Sequence, residues 1–445
     1  MRFIETLKNI WAVEELRKRI LTTVFFVIIY RLGSFVVLPG IDPATLTALK
    51  SQTSSGLLAL MDMFSGGAFS NASIFALGIM PYISASIVMQ LAGIVVPSMQ
   101  KLQRDESGRK KIEQWTRYLT VLILLIQGPT YLINLNMQLH AVGASLPAGI
   151  WFSVYATLIM AAGSMFVLWL GERITDKGLG NGVSLIIMIG IIARLPHSFM
   201  AEISSRLSAS AGGMVMLLFE IVFLLFVIAG AIMLVQGARR VPVQYAKRIV
   251  GNKQYGGARQ YIPLKVNSAN VMPIIFAQAI MFIPVSVLGL TEWGRNSAFV
   301  SAMSNMTGVW YNVIFALLII AFTYLYTAIT INPVNMAKDL KQNGGFIPGI
   351  KPGKPTESFL STIMERITLP GALFLALVAV LPAFAQLLGI QPEFAQFFGG
   401  TSLIILVGVV LDTLQQVESH LLMRHYDGLL KTGRIKGRTG SVSAY

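Results

Sequence analysis

The stretch "MDMFSGGAFSNASIFALGIMPYISASIVMQ", Met61–Gln90, joins an apolar helix to a short apolar segment that cannot cross a membrane. The short segment runs over residues 57–64 and breaks at Ser65-Gly66-Gly67, and a continuous helix is predicted over residues 73–96. As a helix, the short segment would reach only ~12 Å at ~1.5 Å per residue, whereas the hydrocarbon core is ~30 Å thick. Lipid cannot satisfy the polar groups of irregular backbone, so this segment needs a place within protein or in a water-filled cavity.

The composition is that of an integral membrane protein. Of the 445 residues, 54% are hydrophobic and 12% are charged, which is about half the charged fraction of a soluble domain. The mean hydropathy is +0.67. The sequence contains no cysteine, which excludes disulfides, thiolate metal sites and cysteine nucleophiles.

Ten apolar runs are predicted to span a bilayer, most of them about 18 to 24 residues long. They cover residues 20–38, 73–96, 118–138, 151–171, 183–195, 213–236, 270–290, 309–331, 368–388 and 401–422. Of the 35 Lys and Arg residues, 30 lie in alternate gaps on one side, 3 lie in the gaps on the other side, and Arg31 and Arg194 lie within the first and fifth spans. By the positive-inside rule, this asymmetry predicts that both termini and the long loops 237–269 and 332–367 are cytoplasmic.

The number of spans also predicts the domain organisation. Because five is odd, a duplicated five-helix unit inserts in opposite orientations and forms an inverted repeat. The predicted halves are residues 20–200 and 201–423, joined by a polar outer loop at 196–212. Residues 424–445 form a predicted basic cytoplasmic tail. Residues 1–19 form a predicted amphipathic interfacial helix, whose apolar face holds Phe3, Ile4, Leu7, Ile10 and Trp11.

The motifs of several enzyme classes are missing from the sequence. It contains neither the nucleotide-binding pattern G-x-x-x-x-G-K-[ST] nor an H-E-x-x-H arrangement among its four histidines. The stretch "GLGNG" (Gly178–Gly182) is either an anion cradle of backbone N–H groups or a tight cytoplasmic turn. ATPase and metalloprotease functions are therefore disfavoured, and we predict no enzyme activity, no cofactor and no metal site.

Few ionisable residues lie within the predicted spans, among them Arg31, Glu220, Asp412 and Glu418. An intramembrane carboxylate is a candidate functional group, because burying it without a partner is costly. A secondary active transporter built from an inverted five-plus-five helix repeat would need an ion-coupling site at the membrane midplane. Glu220 or Asp412 would then be essential, so this function is kept as the alternative.

The long loop at Gly237–Lys265 is strongly basic and carries no acid. Its positive residues are interleaved with Tyr245, Tyr255 and Tyr261. Such a surface can bind a phosphate backbone, including RNA, largely through counterion release. The other interpretation is topological, because positive loops orient any membrane protein.

Several long motifs together resemble one family. They are "ASIFALGIMPYISASIVMQL" after "FSGGAFSNAS", then "ESGRKKIEQWTRYLT", "GNGVSLII", "VPVQYAKR", "IPLKVNSANVMP" and "GGFIPGIKPGKPT". In this order they are similar to bacterial SecY of the SecY/Sec61-alpha family, the channel subunits of the general protein translocon. The resemblance covers essentially the whole chain.

The resemblance implies a fold and a function. The fold is an all-α polytopic membrane protein with ten transmembrane helices in two inverted halves around a central pore that holds a plug. The function is translocation of unfolded preproteins across the cytoplasmic (inner) membrane and insertion of membrane proteins into it through a lateral gate. The implied partners are the SecE and SecG subunits, the SecA ATPase, the ribosome, signal sequences and lipid.

The resemblance also assigns the pore and its plug. The plug covers residues 57–71, with Leu57, Leu58, Leu60, Met61, Phe64, Gly66 and Gly67 as its named members. The two glycines would supply the backbone freedom for the plug to swing aside. The pore ring consists of Ile79, Ile83, Ile187, Ile275 and Ile405. Branched aliphatic side chains around a narrow neck can block ions by dewetting.

Two further sets complete the implied site. The lateral gate, between the second and third spans on one side and the seventh and eighth on the other, holds Ser84, Ser86, Gln90, Gln127 and Ile283. Its polar groups are expected to hydrogen-bond across helices. Ribosome or SecA contacts are expected at Arg239, Arg240, Lys247, Arg248, Lys253 and Lys351. The family usually has arginine where this chain has Lys351, which lacks the bidentate fork, and an Arg-Arg pair where it has Asn252-Lys253.

Overall fold

A computed structural model describes residue 11 and residues 13–42, 62–141, 146–147, 149–207, 213–245, 248–250, 253–255, 259–268, 271–288 and 297–431. Its helices are α1 (Glu14–Gly33), α2 (Met80–Val95), α3 (Pro97–Arg104), α4 (Glu106–Ala141), α5 (Ile150–Lys177), α6 (Gly182–Leu207), α7 (Gly213–Gln236), α8 (Met272–Leu288), α9 (Ala298–Ser304), α10 (Val309–Thr330), α11 (Pro333–Gln342), α12 (Lys354–Leu387), α13 (Pro392–Ala395) and α14 (Gly400–Lys431). The 3₁₀ turn Gln396–Phe398 follows α13.

A helix lies at each of the ten predicted spans. Among the described residues, seven helices are long and apolar enough to cross a membrane, namely α4, α5, α6, α7, α10, α12 and α14. The remaining three spans are covered by α1, α2 and α8. α1 begins with charged residues, and α2 and α8 have 16 and 17 residues. The predicted fold class, a helical polytopic membrane protein, is confirmed.

The second span begins later than predicted. Residues 65–79 form a series of turns, and α2 starts only at Met80. Gly78 has a φ of +52°, which an uninterrupted right-handed helix does not allow. Pro81 then lies in the first turn, where its missing N–H has no helical partner. The expectation of a helix from residue 73 was wrong, because apolar side chains do not reveal a left-handed glycine.

The fifth span ends later than predicted. Pro196 lies inside α6, which continues to Leu207, so the outer loop cannot begin at residue 196. A proline in a helix removes one backbone hydrogen bond. The turns beyond it are held by a buried ion pair between Glu202 Oε1 and Arg206 Nε at 2.7 Å. The predicted division of the chain at residue 200 falls within this helix, and residues 208–212 lie outside the described part.

Among the described residues, five short strands lie in the loops, and the sequence analysis predicted none of them. Antiparallel β1 (Ala238–Tyr245) pairs with β4 (Arg259–Lys265) and β5 (Gly345–Phe346), and β2 (Arg248–Val250) forms a hairpin with β3 (Lys253–Tyr255). Val241 and Val243 point inward and pack with Leu340 and Leu360. The two long basic loops therefore form a single module with its own apolar core.

Candidate pore, plug and gate

The structure brings the five isoleucines of the predicted pore ring together. Ile79, Ile187 and Ile405 are buried within one hydrophobic cluster, and Ile83 and Ile275 pack against it half-buried. They come from the N-terminal end of α2, from α6, from α8 and from α14. Four separated elements thus converge on one patch of branched aliphatic side chains, the arrangement that a dewetted constriction requires.

The described part of the predicted plug packs on this cluster. Phe64 is 4% exposed and belongs to the same core as Ile187 and Ile405. Residues 62–64 form one helical turn, and residues 65–71 are turns. Leu57, Leu58, Leu60 and Met61 lie outside the described residues. The irregular backbone is therefore surrounded by protein.

The glycines of the predicted plug serve close packing. Gly66 and Gly67 have φ angles of +65° and +91°, which favour glycine. A Cβ on Gly66 would lie 2.8 Å from the Cα of Gly190 in α6. A Cβ on Gly190 would lie 2.8 Å from the carbonyl oxygen of Phe64. The plug and α6 therefore meet backbone to backbone, and a methyl group on either glycine would push them apart.

Side chains from neighbouring helices satisfy the carbonyl groups of the plug. The Tyr30 hydroxyl donates to the Ser65 carbonyl at 3.0 Å, and Arg31 Nη1 donates to the Gly66 carbonyl at 2.8 Å. Tyr131 of α4 donates to the Phe69 carbonyl at 2.8 Å. Backbone polar groups buried at membrane depth need hydrogen-bond partners within the protein. These three bonds provide such partners. Arg31, noted from the sequence only as an ionisable residue, thus binds the plug.

A buried ion pair that the sequence analysis did not predict joins the predicted plug to α6. Asp62, in the plug, is 6% exposed and pairs with Arg194 of α6. Asp62 Oδ1 also accepts a hydrogen bond from the Ser70 backbone at 2.7 Å, and Arg194 Nη2 donates to Ser70 Oγ at 2.8 Å. A signal was present, since each charge stands in an apolar stretch and is costly to bury alone.

The predicted lateral-gate residues lie on α2, α4 and α8, but their observed hydrogen bonds are local. Ser84 Oγ donates to the Met80 carbonyl at 3.2 Å, and Gln90 Nε2 donates to Ser86 Oγ at 3.1 Å, both within α2. The expectation of bonds across helices is therefore corrected for these residues, because an acceptor one turn back is always within reach. Gln127 Oε1 is buried and has no hydrogen-bond partner among the described residues. The side chain of Ile283 lies outside the described part.

The contact between the two sides of the predicted gate is instead apolar. Ile87 of α2 is 5% exposed and packs in a cluster with Ile274 and Met281 of α8 and Phe315 of α10. Ile83 and Leu91, four residues to either side of Ile87, pack against the same cluster. An i, i+4 row on a helix forms one face. The contact between the two sides is therefore a stripe of apolar side chains. Among the described residues, no hydrogen bond from Ser84, Ser86 or Gln90 crosses it.

The residues expected to contact the ribosome or SecA lie in the module that the two basic loops form. Arg239 and Arg240 are exposed on β1, and Lys351 is exposed in the turn before α12. The backbones of Arg248 and Lys253 belong to the β2–β3 hairpin, and their side chains lie outside the described part. Lys247 and Asn252 lie outside it as well. Exposure of two adjacent arginines is compatible with either the RNA-binding or the topological interpretation.

The carboxylate that a transporter would need is paired with an arginine. Glu220 of α7 is 1% exposed and pairs with Arg206 Nη2 at 2.6 Å, and Arg206 also pairs with Glu202. The same arginine donates to the Gly389 carbonyl at 2.9 Å. Asp412 and Glu418 are exposed on α14. Glu220 thus belongs to a network of buried ion pairs near the end of α6.

The glycine-rich stretch at 178–182 is a turn. The N–H of Leu179 donates to Thr23 Oγ1 at 3.1 Å, that of Gly180 to Gln416 Oε1 at 2.9 Å, and that of Gly182 to Thr175 Oγ1 at 2.8 Å. These donors are occupied by protein acceptors, so they do not form the anion cradle considered above. The turn also ties α5 and α6 to α1 and α14.

Comparison with known proteins agrees with this architecture. The family model described as SecY matches residues 73–414. The chain is 39% identical to the protein translocase subunit SecY of Chlamydia muridarum, covering 97% of this chain and 99% of that protein. It is also 39% identical to the protein of the same description from Thermotoga maritima, covering 98% and 99%.

Solved structures share the fold at low sequence identity. A protein-conducting channel is similar with a TM-score of 0.62 and 17% identity, covering 94% of this chain and 95% of that chain. A structure of SecY concerned with its plug domain has a TM-score of 0.63 at 16% identity, with the same coverage. Sec61 in the canine ribosome–channel complex has a TM-score of 0.57 at 15% identity, again with 94% and 95% covered.

Proposed function

We infer the function from one premise, which is that this chain belongs to the SecY family. We propose that it is the central pore-forming subunit of a protein-conducting channel. In this role it translocates unfolded preproteins across the membrane and inserts membrane proteins into it. The chain is a multi-pass membrane protein, and the cytoplasmic (inner) membrane with both termini in the cytoplasm is the location that we propose from its charge asymmetry.

The observation that carries this proposal is the isoleucine cluster. Five isoleucines from four elements meet in one buried patch with Phe64 of the plug. Aliphatic side chains bind no passing residue strongly, and in the closed channel they exclude water and ions. We therefore propose that Ile79, Ile83, Ile187, Ile275 and Ile405 form the constriction and that residues 57–71 close it from one side.

Membrane insertion requires an exit from the pore into lipid. The seam of Ile83, Ile87 and Leu91 against α8 and α10 supports a lateral gate at this position. Apolar side chains separate from each other without leaving polar groups unpaired, and the acyl chains of lipid or an apolar signal sequence can replace the lost contacts. An arriving signal sequence would thus insert between the two sides of the gate and separate them.

The family also suggests the partners of the chain. We propose that SecE and SecG are its membrane subunits, that SecA or the ribosome supplies the driving force, and that Arg239 and Arg240 contribute to ribosome or SecA binding. The sequence lacks a nucleotide-binding motif of its own, which supports an external motor. We propose no enzymatic activity for this chain. The alternative of a secondary active transporter is not supported, since Glu220 is paired with Arg206.

Reconstitution tests the proposed function. The chain is purified with its copurifying membrane subunits and placed in lipid vesicles with SecA, ATP and a precursor that carries a signal sequence. We expect the precursor to become protected from added protease only when the chain, SecA and ATP are all present. The proposal would be contradicted if the precursor became protected without the chain. It would also be contradicted if a folded complex gave no protection under any condition.

A further inference from the structure

We propose that Asp62 and Arg194 form a latch that sets the opening threshold of the channel and therefore how strictly it discriminates among signal sequences. This inference rests on the proposed function, and it concerns two residues to which neither the motifs nor the apolar pattern assign a role. Asp62 lies at the start of the described plug, and Arg194 lies on α6. Their side chains are 8% and 20% exposed.

The latch connects three parts of the closed channel. The ion pair joins the plug to α6, and Asp62 also accepts the backbone N–H of Ser70, eight residues further along the plug. Arg194 donates to the hydroxyl of the same serine. The Asp62 carboxylate therefore closes the plug on itself while it binds α6. Withdrawal of the plug from α6 must separate the pair.

Arg194 lies against the backbone of the plug, near one like and one opposite charge. A Cβ on Gly67 would lie 3.3 Å from Arg194 Nε, so the guanidinium lies directly against the plug backbone. Arg31 and Glu393 also interact electrostatically with Arg194. Arg31 repels it and is itself bound to the Gly66 carbonyl. Two guanidinium groups thus flank the plug, one at a carbonyl oxygen and one at the carboxylate.

An ion pair is a suitable contact between parts that must separate each time the channel opens. A buried ion pair gives little net stability compared with apolar packing, but removing one partner leaves an uncompensated buried charge and is strongly unfavourable. In the open channel both groups would face a water-filled cavity, where they are hydrated. Loss of either partner therefore destabilises the closed state and leaves the open state nearly unchanged, so a weaker signal sequence suffices to open the gate.

The test compares export of one precursor with an intact signal sequence and one with a defective signal sequence. We expect Arg194→Gln and Asp62→Asn each to raise export of the defective precursor by about tenfold, which is the ratio that ~1.4 kcal/mol produces. Asp62→Asn keeps an acceptor for the Ser70 N–H and removes only the charge. Export of the intact precursor should continue in both variants. The double variant should raise export by less than the product of the two single effects, because the second change removes the unpaired charge.

Two further variants separate the latch from a general loss of structure. Arg194→Lys keeps the charge and should stay close to the wild type. Arg117→Gln removes an exposed ion pair with Glu172 between α4 and α5 (2.8 Å) and should leave the discrimination unchanged. Planar-bilayer conductance of the resting channel should rise for Arg194→Gln and Asp62→Asn only.

The outcomes are distinguishable. The latch does not exist if Arg194→Gln and Asp62→Asn match the wild type in signal-sequence discrimination and in resting conductance. It does not exist either if the double variant raises export of the defective precursor by the full product of the two single effects. If the wild-type complex exports neither precursor, the proposed function fails and the latch falls with it. A rise in defective-precursor export for Arg117→Gln equal to that for Arg194→Gln would assign the effect to general loosening and overturn the proposal.

Discussion

The contact between Gly190 and the proposed plug predicts a variant that opens the channel without unfolding it. In Gly190→Ala, the new methyl group would lie 2.8 Å from the Phe64 carbonyl oxygen and 3.2 Å from the Gly66 nitrogen. Real Cβ atoms essentially never approach another atom within 3.0 Å, and both neighbours are backbone atoms, which cannot turn away as a side chain can. The plug must therefore move.

The magnitude follows from two opposing effects. Overpacking of this kind costs about 1–3 kcal/mol, and it acts only in the closed state, where the plug contacts α6. That range corresponds to about a 5- to 150-fold shift of the closed–open ratio toward the open channel. Replacing glycine by alanine inside a helix contributes about 1 kcal/mol of stability in both states. Resistance to thermal unfolding should therefore be retained while the seal is lost.

The assay measures both quantities on the same purified complex. Planar-bilayer conductance reports the seal, and the thermal unfolding midpoint reports the fold. Gly230→Ala is the matched control, since its Cβ would meet only the far end of the Phe374 ring, at 3.2 Å. We expect an ion leak from Gly190→Ala and none from Gly230→Ala, with a Gly190→Ala midpoint close to that of the wild type. A silent Gly190→Ala channel with normal signal-sequence discrimination would refute the steric argument.

Three further predictions concern the ring, the buried network and the basic surface. Ile405→Asn places an amide among the buried aliphatic groups and should weaken the closed state by roughly 1–3 kcal/mol, which is seen as a resting ion leak, whereas an unchanged conductance would remove Ile405 from the seal. Arg206→Gln leaves two buried carboxylates without their cation and should lower the free energy of unfolding by about 3–5 kcal/mol; a thermal midpoint equal to that of the wild type would show that the network contributes nothing. Replacing Arg239 and Arg240 with glutamate should weaken ribosome binding and flatten its dependence on salt by about 0.7–0.9 log–log units per lost phosphate contact, and an unaltered slope would assign these arginines to membrane orientation alone.

The helical architecture was predictable because a spanning helix must satisfy its own backbone within an apolar run. The boundaries that failed depend on single residues. Gly78 takes a left-handed conformation that delays α2, and Pro196 fails to end α6. Neither outcome can be read from hydropathy, since one depends on a dihedral angle and the other on an ion pair formed beyond the proline.

The candidate site was only partly predictable. Nothing in the apolar pattern separates Ile187 or Ile405 from other isoleucines of the spans, and only the motif resemblance selected them. The pairing of Asp62 with Arg194 joins residues far apart in the chain, so it needs the three-dimensional fold. The strands were not predicted because β1 alternates buried valines with exposed residues over only a few positions. A pattern this short is a weak signal compared with the long apolar runs of the helices.

The central claim is that the isoleucine cluster surrounds the path of the translocating chain. A photo-cross-linking amino acid placed at position 187 tests it directly when a precursor is arrested halfway through the reconstituted channel. Position 192 is the matched control, because Ile192 lies on the same helix but is 42% exposed and outside the isoleucine cluster, whereas Ile187 is 4% exposed. We predict an adduct with the arrested precursor from position 187 and none from position 192. Adducts from position 192 alone, or equal adducts from both positions, would contradict the claim.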